Sequence, residues 1–163
     1  MELRRHWNPK TILIGIYAAF ILLYMIVGLQ SADATKYNIT GQLDIPSIGL
    51  SSDVATLELN DHHLDTPNSI VGSYSESKNT TLLIGHSTTV FSRLKDITMG
   101  DVLLYNNQEY RVISVETMAK SDIKMRSLLA ESKRETLILM TCAGTLLDGG
   151  DATHRLIVTA VAK

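Results

Sequence analysis

Short runs of β-forming residues, separated by turn residues, follow one another from Gly41 to the end of the chain. The runs comprise residues 42–48, 53–59, 69–74, 80–85, 101–105, 109–117, 135–142 and 154–161. Strands this short and this closely spaced, with little helix between them, are typical of an antiparallel or mixed β-barrel. The pattern therefore predicts a mainly β fold, a barrel of about eight strands with short helices.

Three connections between these runs carry signals of their own. Residues 106–108 (Asn-Asn-Gln) predict a hairpin turn, because Asn tolerates a positive φ. Residues 121–131 predict a short helix with one apolar face, capped by Ser121 or Asp122. Residues 60–68 are mostly polar and predict a solvated loop.

Residues 11–29 form an uncharged apolar run. As a helix this run would be about 28 Å long at 1.5 Å per residue, close to the thickness of the hydrocarbon core of a bilayer. Arg4, Arg5 and Lys10 precede it, and positive residues beside a span favour the cytoplasmic side. The sequence therefore predicts a single-pass membrane anchor with a cytoplasmic N-terminus.

The anchor divides the chain into four predicted segments. Residues 1–10 are cytoplasmic, residues 11–29 span the membrane, residues 30–40 form a polar stalk, and residues 41–163 form one extracytoplasmic domain. A cleaved signal peptide is the alternative, because residues 32–34 (Ala-Asp-Ala) resemble a small-x-small cleavage site. The apolar run is longer than the usual apolar region of a signal peptide, which favours an uncleaved anchor.

Composition narrows the classes of function. A net charge of −2 gives no basic surface of the kind that binds nucleic acid. The only cysteine, Cys142, excludes an internal disulfide framework and a multi-cysteine metal centre. The residues after the apolar run are enough for one domain with a substantial core and too few for two.

Cys142 is predicted where a buried strand, residues 135–142, runs out into a loop containing glycine. A rigid strand end that opens to solvent suits a nucleophile. His86 ends another apolar run, and Arg155 enters the last one. A nearby cation favours a thiolate, an imidazole can protonate a leaving group, and a guanidinium offers donors to an oxyanion. Taken singly, each residue is more ordinarily structural: a core thiol, a capping histidine and a surface arginine.

The order of these segments resembles the sortase family. Residues 139–142 (Leu-Met-Thr-Cys) match the last four positions of the family's Thr-Leu-x-Thr-Cys motif, and Ile138 stands where its first Thr is expected. Residues 85–87 (Gly-His-Ser) resemble the segment that carries the sortase histidine. Residues 155–158 resemble the strand that carries its arginine, and residues 43–48 resemble its opening strand.

This resemblance implies an eight-stranded barrel that works as a membrane-anchored cysteine transpeptidase on the outside of the cell. Cys142 would attack a sorting-signal peptide similar to Leu-Pro-x-Thr-Gly at its Thr–Gly bond, forming a thioacyl-enzyme. His86 would protonate the departing amine, and Arg155 would steady the substrate and the oxyanion. An amine of a cell-wall precursor or of a surface protein would resolve the intermediate. No cofactor is implied.

The resemblance also implies residues that bind the substrate. Thr141 would help to place the peptide. Residues 121–134 stand where the family has its specificity loop, and Ile123, Met125 and Leu128 would contact the peptide there. The alternative for this segment is an ordinary helix that packs on the barrel.

Metal binding is not expected to be part of the chemistry. Some sortases bind calcium through loop carboxylates, and Asp148 and Asp151 beside two glycines would suit that role, although a flexible acidic loop is favoured. His62 and His63 adjoin further carboxylates, but adjacent residues of an extended chain point to opposite faces. A solvated loop is the simpler interpretation there.

Two other functions stay open from the sequence. Residues 85–89 resemble the nucleophile elbow of an α/β-hydrolase with Ser87 as nucleophile, although Thr89 stands where the second Gly belongs. Asp148 and His154 would be its partners, but that fold needs a longer chain with several long helices. The other possibility is a membrane-anchored β-domain that binds surface peptides without catalysis and needs no thiol.

Overall fold

The computed structural model describes residues 37–60, 63–147 and 151–163, and the described residues form ten strands. The strands are β1 (Ile39–Ile45), β2 (Leu50–Thr56), β3 (Leu59–Asn60), β4 (His63–Leu64), β5 (Val71–Ser77), β6 (Thr80–Ile84), β7 (Val102–Tyr105), β8 (Gln108–Ala119), β9 (Thr136–Leu146) and β10 (Ala152–Ala162). The helical elements are the 3₁₀ turns Pro46–Ile48, Leu94–Asp96 and Lys120–Asp122 and one α-helical turn, Met125–Leu128.

The predicted cytoplasmic segment and membrane anchor lie outside the described residues, as does most of the predicted stalk. β1 begins at Ile39, so the last two residues of the predicted stalk belong to the domain. In the part of the chain that the structure describes, every helix is too short or too polar to cross a bilayer.

Eight of the strands close into a barrel in the order β1-β2-β5-β6-β9-β10-β8-β7. The β2–β5 and β6–β9 pairs are parallel, and the other pairs are antiparallel. The remaining strands, β3 and β4, form a separate two-stranded hairpin. The predicted mainly β fold, an eight-stranded barrel with short helices, is therefore confirmed, and it is of the mixed kind.

The strands around β9 bury side chains on both faces, because successive residues of a strand point to opposite sides. Leu137 and Leu139 belong to the core inside the barrel, while Ile138 and Met140 belong to a second cluster on the outer face. The buried members of this outer cluster are Leu82, Leu129, Ile138 and Ile157. Leu82, Ile138 and Ile157 come from the faces of β6, β9 and β10 that are opposite to the barrel core, and Leu129 comes from the connection between β8 and β9.

The connection between β8 and β9 covers the outer cluster. Leu129 is buried in it with 6% exposure, and hydrogen bonds fasten the chain that follows to the β5–β6 hairpin. Thr80 Oγ1 donates to the carbonyl oxygen of Ala130 over 2.8 Å, and Asn79 Nδ2 donates to that of Ser132 over 3.0 Å. The connection is therefore held against the sheet.

The helix predicted over residues 121–131 is wrong in extent. A 3₁₀ turn, Lys120–Asp122, and the α-helical turn Met125–Leu128 are separated by two extended residues, Ile123 and Lys124. The predicted caps lie inside the 3₁₀ turn, and Lys124 occupies the N-cap position without a side-chain hydrogen bond. Burial of Leu129 and the bonds to the β5–β6 hairpin outweigh the local helical preference.

Two other connections are tighter than expected. Gln108 pairs with Tyr105, so the β7–β8 turn contains only Asn106 and Asn107, with φ of 51° and 65°. Two positive φ values are the mark of a type I′ turn, which suits the twist of a hairpin. The predicted polar loop over residues 60–68 contains part of the β3–β4 hairpin.

Candidate active site

A groove of about 740 Å³ lies on the outer face of the barrel. Its floor includes Ile84 of β6 and Met140 of β9. The β3–β4 hairpin contributes Leu59 and Leu64 to its lining. The β8–β9 connection contributes Ile123, Met125 and Leu129. The groove is therefore mostly apolar and large enough for several residues of an extended peptide.

Cys142 lies on the outer face of β9 and lines the groove. It continues the alternation of Ile138 and Met140, which face the outer cluster. The predicted strand end is wrong, because β9 continues to Leu146 and Cys142 lies inside the strand. The irregularity comes two residues later, where Gly144 has a φ of 77°. The half-buried thiol is free and held by a regular ladder.

Arg155 of β10 is the direct cross-strand partner of Cys142 in the antiparallel β9–β10 ladder. Side chains of directly opposed residues share one face of the sheet, with Cβ atoms about 4.5–5.5 Å apart. The guanidinium and the thiol therefore lie on the same side of the sheet, and both line the groove.

His86 lies in the loop that follows β6, the other strand that pairs with β9. Ile84, the last residue of β6, pairs in parallel with Met140, and the backbone N–H of Gly85 donates to the Met140 carbonyl oxygen over 3.4 Å. Continuing this register by two residues brings His86 level with Cys142. The imidazole also lines the groove, as the thiol of Cys142 does.

The loop after β6 holds His86 through its backbone. The carbonyl oxygen of His86 accepts hydrogen bonds from the N–H groups of Thr89 over 3.2 Å and Phe91 over 3.0 Å. Gly85 is tightly packed, because an added Cβ would lie 2.6 Å from Val90 Cγ1 and 2.8 Å from Phe91 Cδ2. The turn after His86 and the tight packing around Gly85 therefore fix the backbone position from which the imidazole extends.

Thr141 is buried, with 4% exposure, at the edge of the groove. Its hydroxyl donates to the carbonyl oxygen of Gly85 over 2.7 Å. This bond joins the strand that carries Cys142 to the loop that carries His86. Thr141 therefore contributes to the site through the backbone of that loop.

The predicted substrate-binding residues of the β8–β9 connection divide into two groups. Ile123 and Met125 line the groove. Among the described residues, Leu128 is absent from the lining and packs half-buried against the outer cluster. Its neighbour Leu129 lines the groove instead.

Sequence reasoning missed most of the apolar lining. Ile84 and Met140 carried a usable signal, since Met140 lies two residues before the predicted nucleophile Cys142 on one face of β9, and Ile84 lies two residues before the predicted acid His86. Leu59 and Leu64 carried none, because the β3–β4 hairpin that presents them was not expected.

Arg155 is engaged in an ion-pair network that the sequence did not reveal. Its Nη2 atom lies 2.7 Å from Asp151 Oδ1, and Asp151 Oδ2 accepts a hydrogen bond from Lys120. The hydrogen bond from Lys120 first, then those from Arg155 and the Ala152 N–H, hold the pKa of the Asp151 carboxyl well below its usual range. Asp151 therefore stays ionised at neutral pH.

The sequence suggested two carboxylates, Asp148 and Asp151, as possible calcium ligands. Asp148 lies outside the described residues, and Asp151 is bonded to two cationic side chains. Within residues 37–60, 63–147 and 151–163, no group of three or more potential ligands comes together.

The serine-hydrolase interpretation is wrong on the fold. A nucleophile elbow belongs to a doubly wound sheet with a helix after the strand. Here β6 lies in a closed barrel and is followed by turns. Ser87 is also absent from the groove lining among the described residues, and His154 bonds to Thr153 through Nδ1 over 2.8 Å.

Comparison with protein families matches residues 43–163 to the sortase family, under the description "Sortase domain". Sortase A of Listeria monocytogenes has a similar structure, with 17% identity and a TM-score of 0.59 over 77% of this chain and 87% of that chain. Sortase C-1 of Actinomyces oris is similar with 22% identity and a TM-score of 0.57, over 77% of this chain and 74% of that chain.

Sortase C of Clostridium perfringens SM101 is similar with 19% identity and a TM-score of 0.59, over 77% of this chain and 70% of that chain. Because these identities are all 22% or less, the similarities show the fold alone. A comparison with curated proteins finds no match.

Proposed function

Because this chain belongs to the sortase family, we propose that it is a cysteine transpeptidase whose active site is the groove with Cys142, His86 and Arg155. The observation that supports this most is the convergence of the three side chains, which come from the loop after β6, from β9 and from β10, strands that are neighbours in the barrel. In one groove, the thiol can act as a nucleophile, the imidazole as a proton donor and the guanidinium as a hydrogen-bond donor to the oxyanion.

The first half of the reaction forms a thioester. The Cys142 thiolate attacks the carbonyl carbon of the scissile peptide bond, and the C=O electron pair moves onto oxygen. Donors of Arg155 stabilise this oxyanion, whose charge exists only near the transition state. As the C=O bond re-forms and the C–N bond breaks, protonated His86 gives its proton to the departing amine.

The second half transfers the acyl group. An acceptor amine attacks the thioester, neutral His86 takes the proton from the amine nitrogen, and Cys142 leaves as a thiolate. Because the thioester stores the acyl group in reactive form, donor and acceptor need not be bound together. Water is the competing acceptor.

The substrate is a sorting-signal peptide similar to Leu-Pro-x-Thr-Gly, cleaved at the Thr–Gly bond. The apolar lining around Ile123, Met125 and Met140 suits a branched aliphatic side chain such as leucine. The acceptor is an amine of a cell-wall precursor or of a surface protein. The domain faces the outside of the cell, anchored by residues 11–29 with the N-terminus in the cytoplasm.

Trapping the acyl-enzyme tests this proposal. The full-length chain in detergent is incubated with a library of Leu-Pro-x-Thr-Gly-like peptides, and the digested protein is analysed by mass spectrometry. The expected result is an acyl mass on the peptide that contains Cys142, with release of the fragment that begins at Gly. Adding a small primary amine should replace the acyl-enzyme by an amide product.

Two variants make the result decisive. Cys142→Ala should abolish cleavage, and Ser87→Ala should retain it, because Ser87 does not line the groove among the described residues. Normal cleavage by Cys142→Ala would disprove the proposal. Peptide binding without release of any amine, unchanged after alkylation of Cys142, would instead identify a non-catalytic peptide-binding domain.

A further inference from the structure

The hydrogen bonds of Arg155 occupy most of its donors. A guanidinium carries five N–H donors in a fixed plane. Nη1 donates to the carbonyl oxygens of Ala152 and His154, each over 2.9 Å, and Nη2 donates to Asp151 Oδ1 over 2.7 Å. Among the described contacts, the N–H of Nε and one N–H of Nη2 remain for a substrate. Three bonds to one short stretch of chain define the plane in which these two donors lie.

The carboxylate of Asp151 connects both borders of the groove. Oδ1 accepts from Arg155 and from the backbone N–H of Ala152 over 2.8 Å, while Oδ2 accepts from Lys120. Lys120 begins the connection that covers the outer cluster, and Asp151 immediately precedes β10. Asp151 is therefore the one described side chain that bonds both the β8–β9 connection and the arginine.

We infer that Asp151 is a positioning residue of this site, holding the Arg155 guanidinium so that its two remaining N–H groups serve the oxyanion that forms at Cys142. The inference rests on the proposed function. Arg155 is only 16% exposed at its side chain, so few solvent molecules compete for its donors. Without Asp151 the long arginine side chain can adopt more rotamers. A smaller fraction of the protein molecules then has the two donors directed at the oxyanion.

A purely structural ion pair is the competing explanation. Such a pair would add a little stability and leave the chemical step unchanged. The two explanations differ in kcat, because positioning of an oxyanion donor acts only in the transition state. The apolar lining that binds the peptide would stay intact, so KM should change little.

The test measures kcat and KM of the full-length chain in detergent with a peptide that the wild type cleaves. Asp151→Ala should lower kcat by about 10-fold to 100-fold, since a misplacement of about 1 Å costs up to 10²-fold. Glu109→Ala is the matched control. Glu109 pairs with Lys163 over 2.6 Å at a similarly exposed position outside the groove lining, so its removal should leave kcat unchanged.

A double-mutant cycle gives the readout that a structural role would not produce. In an Arg155→Ala background, Asp151→Ala should lower kcat by less than about threefold, because no guanidinium remains to be positioned. Asp151→Asn, which keeps an oxygen acceptor for Arg155 and loses the charge, replaces Asp151→Ala if the alanine variant proves unfolded by circular dichroism. It should lower kcat at least about threefold.

The outcomes separate the two proposals. A wild type that cleaves no peptide of the library overturns the proposed function and this inference with it. A wild type that cleaves while kcat of the Asp151 variant stays within twofold of it overturns the inference alone. An equal fold-loss with and without Arg155 also overturns the inference, since the carboxylate would then act independently of the arginine.

Discussion

The hydroxyl of Thr141 and the carbonyl oxygen of Gly85, 2.7 Å apart, join the cysteine-bearing strand to the histidine-bearing loop. The two residues are 56 positions apart in the chain. Both are buried, so neither group has water as an easy substitute. Loss of this bond should therefore affect both stability and the position of His86.

Replacing Thr141 separates its hydroxyl from its shape. Thr141→Val keeps the volume but leaves the Gly85 carbonyl without this donor, which costs about 1–3 kcal/mol of unfolding free energy. Thr141→Ser keeps the hydroxyl and should lose less. Chemical denaturation gives the stabilities, and peptide cleavage gives kcat. Equal stability and kcat for the valine variant and the wild type would contradict a positioning role for the hydroxyl.

Gly85 should not tolerate a side chain. In Gly85→Ala the new Cβ would meet Val90 Cγ1 at 2.6 Å and Phe91 Cδ2 at 2.8 Å, so the loop that holds His86 must shift. Overpacking of this kind costs about 1–3 kcal/mol. The free energy of unfolding, measured by chemical denaturation, and the rate of peptide cleavage should both fall. Adding Val90→Ala should restore part of each. No recovery in the double variant would mean that the clash lies elsewhere.

The lining of the groove should determine KM. Met125→Ala removes apolar surface from the groove and should raise KM by about fourfold per buried methylene lost, with little change in kcat. Leu128→Ala is the comparison, because Leu128 packs against the outer cluster and should mainly lower the free energy of unfolding. If Leu128→Ala raises KM as much as Met125→Ala does, Leu128 contacts the peptide after all.

Acid should weaken the network around Asp151. Its pKa is lowered in the folded protein, so the carboxylate contributes stability above its unfolded pKa of about 3.9, and this is lost as pH falls below that value. The difference in unfolding free energy between wild type and Asp151→Ala should be constant from pH 8 to pH 5 and shrink toward pH 2. Urea denaturation across that range measures it, and a difference that grows in acid would contradict the assignment.

Much of the barrel was predictable because its signals are local. Alternating or continuous apolar runs bounded by Gly, Asn and Pro indicate strands wherever the rest of the chain lies. The ordered motifs around His86, Cys142 and Arg155 pointed to the family, which the match to residues 43–163 confirms. Their catalytic roles stay predictions. The helix over residues 121–131 failed because Leu129 is buried by strands far away in the sequence.

The sequence by itself determined the class of fold and the family and predicted three candidate catalytic side chains, since periodicity and motif are properties of neighbouring residues. Only the tertiary structure decided that Arg155 faces Cys142 across one ladder and that Asp151 holds Arg155. It also decided that Leu129, rather than Leu128, lines the groove. Register, ion pairing and burial depend on which distant segments of the chain meet. The closure of the barrel decides which segments meet, and no local pattern of residues encodes it.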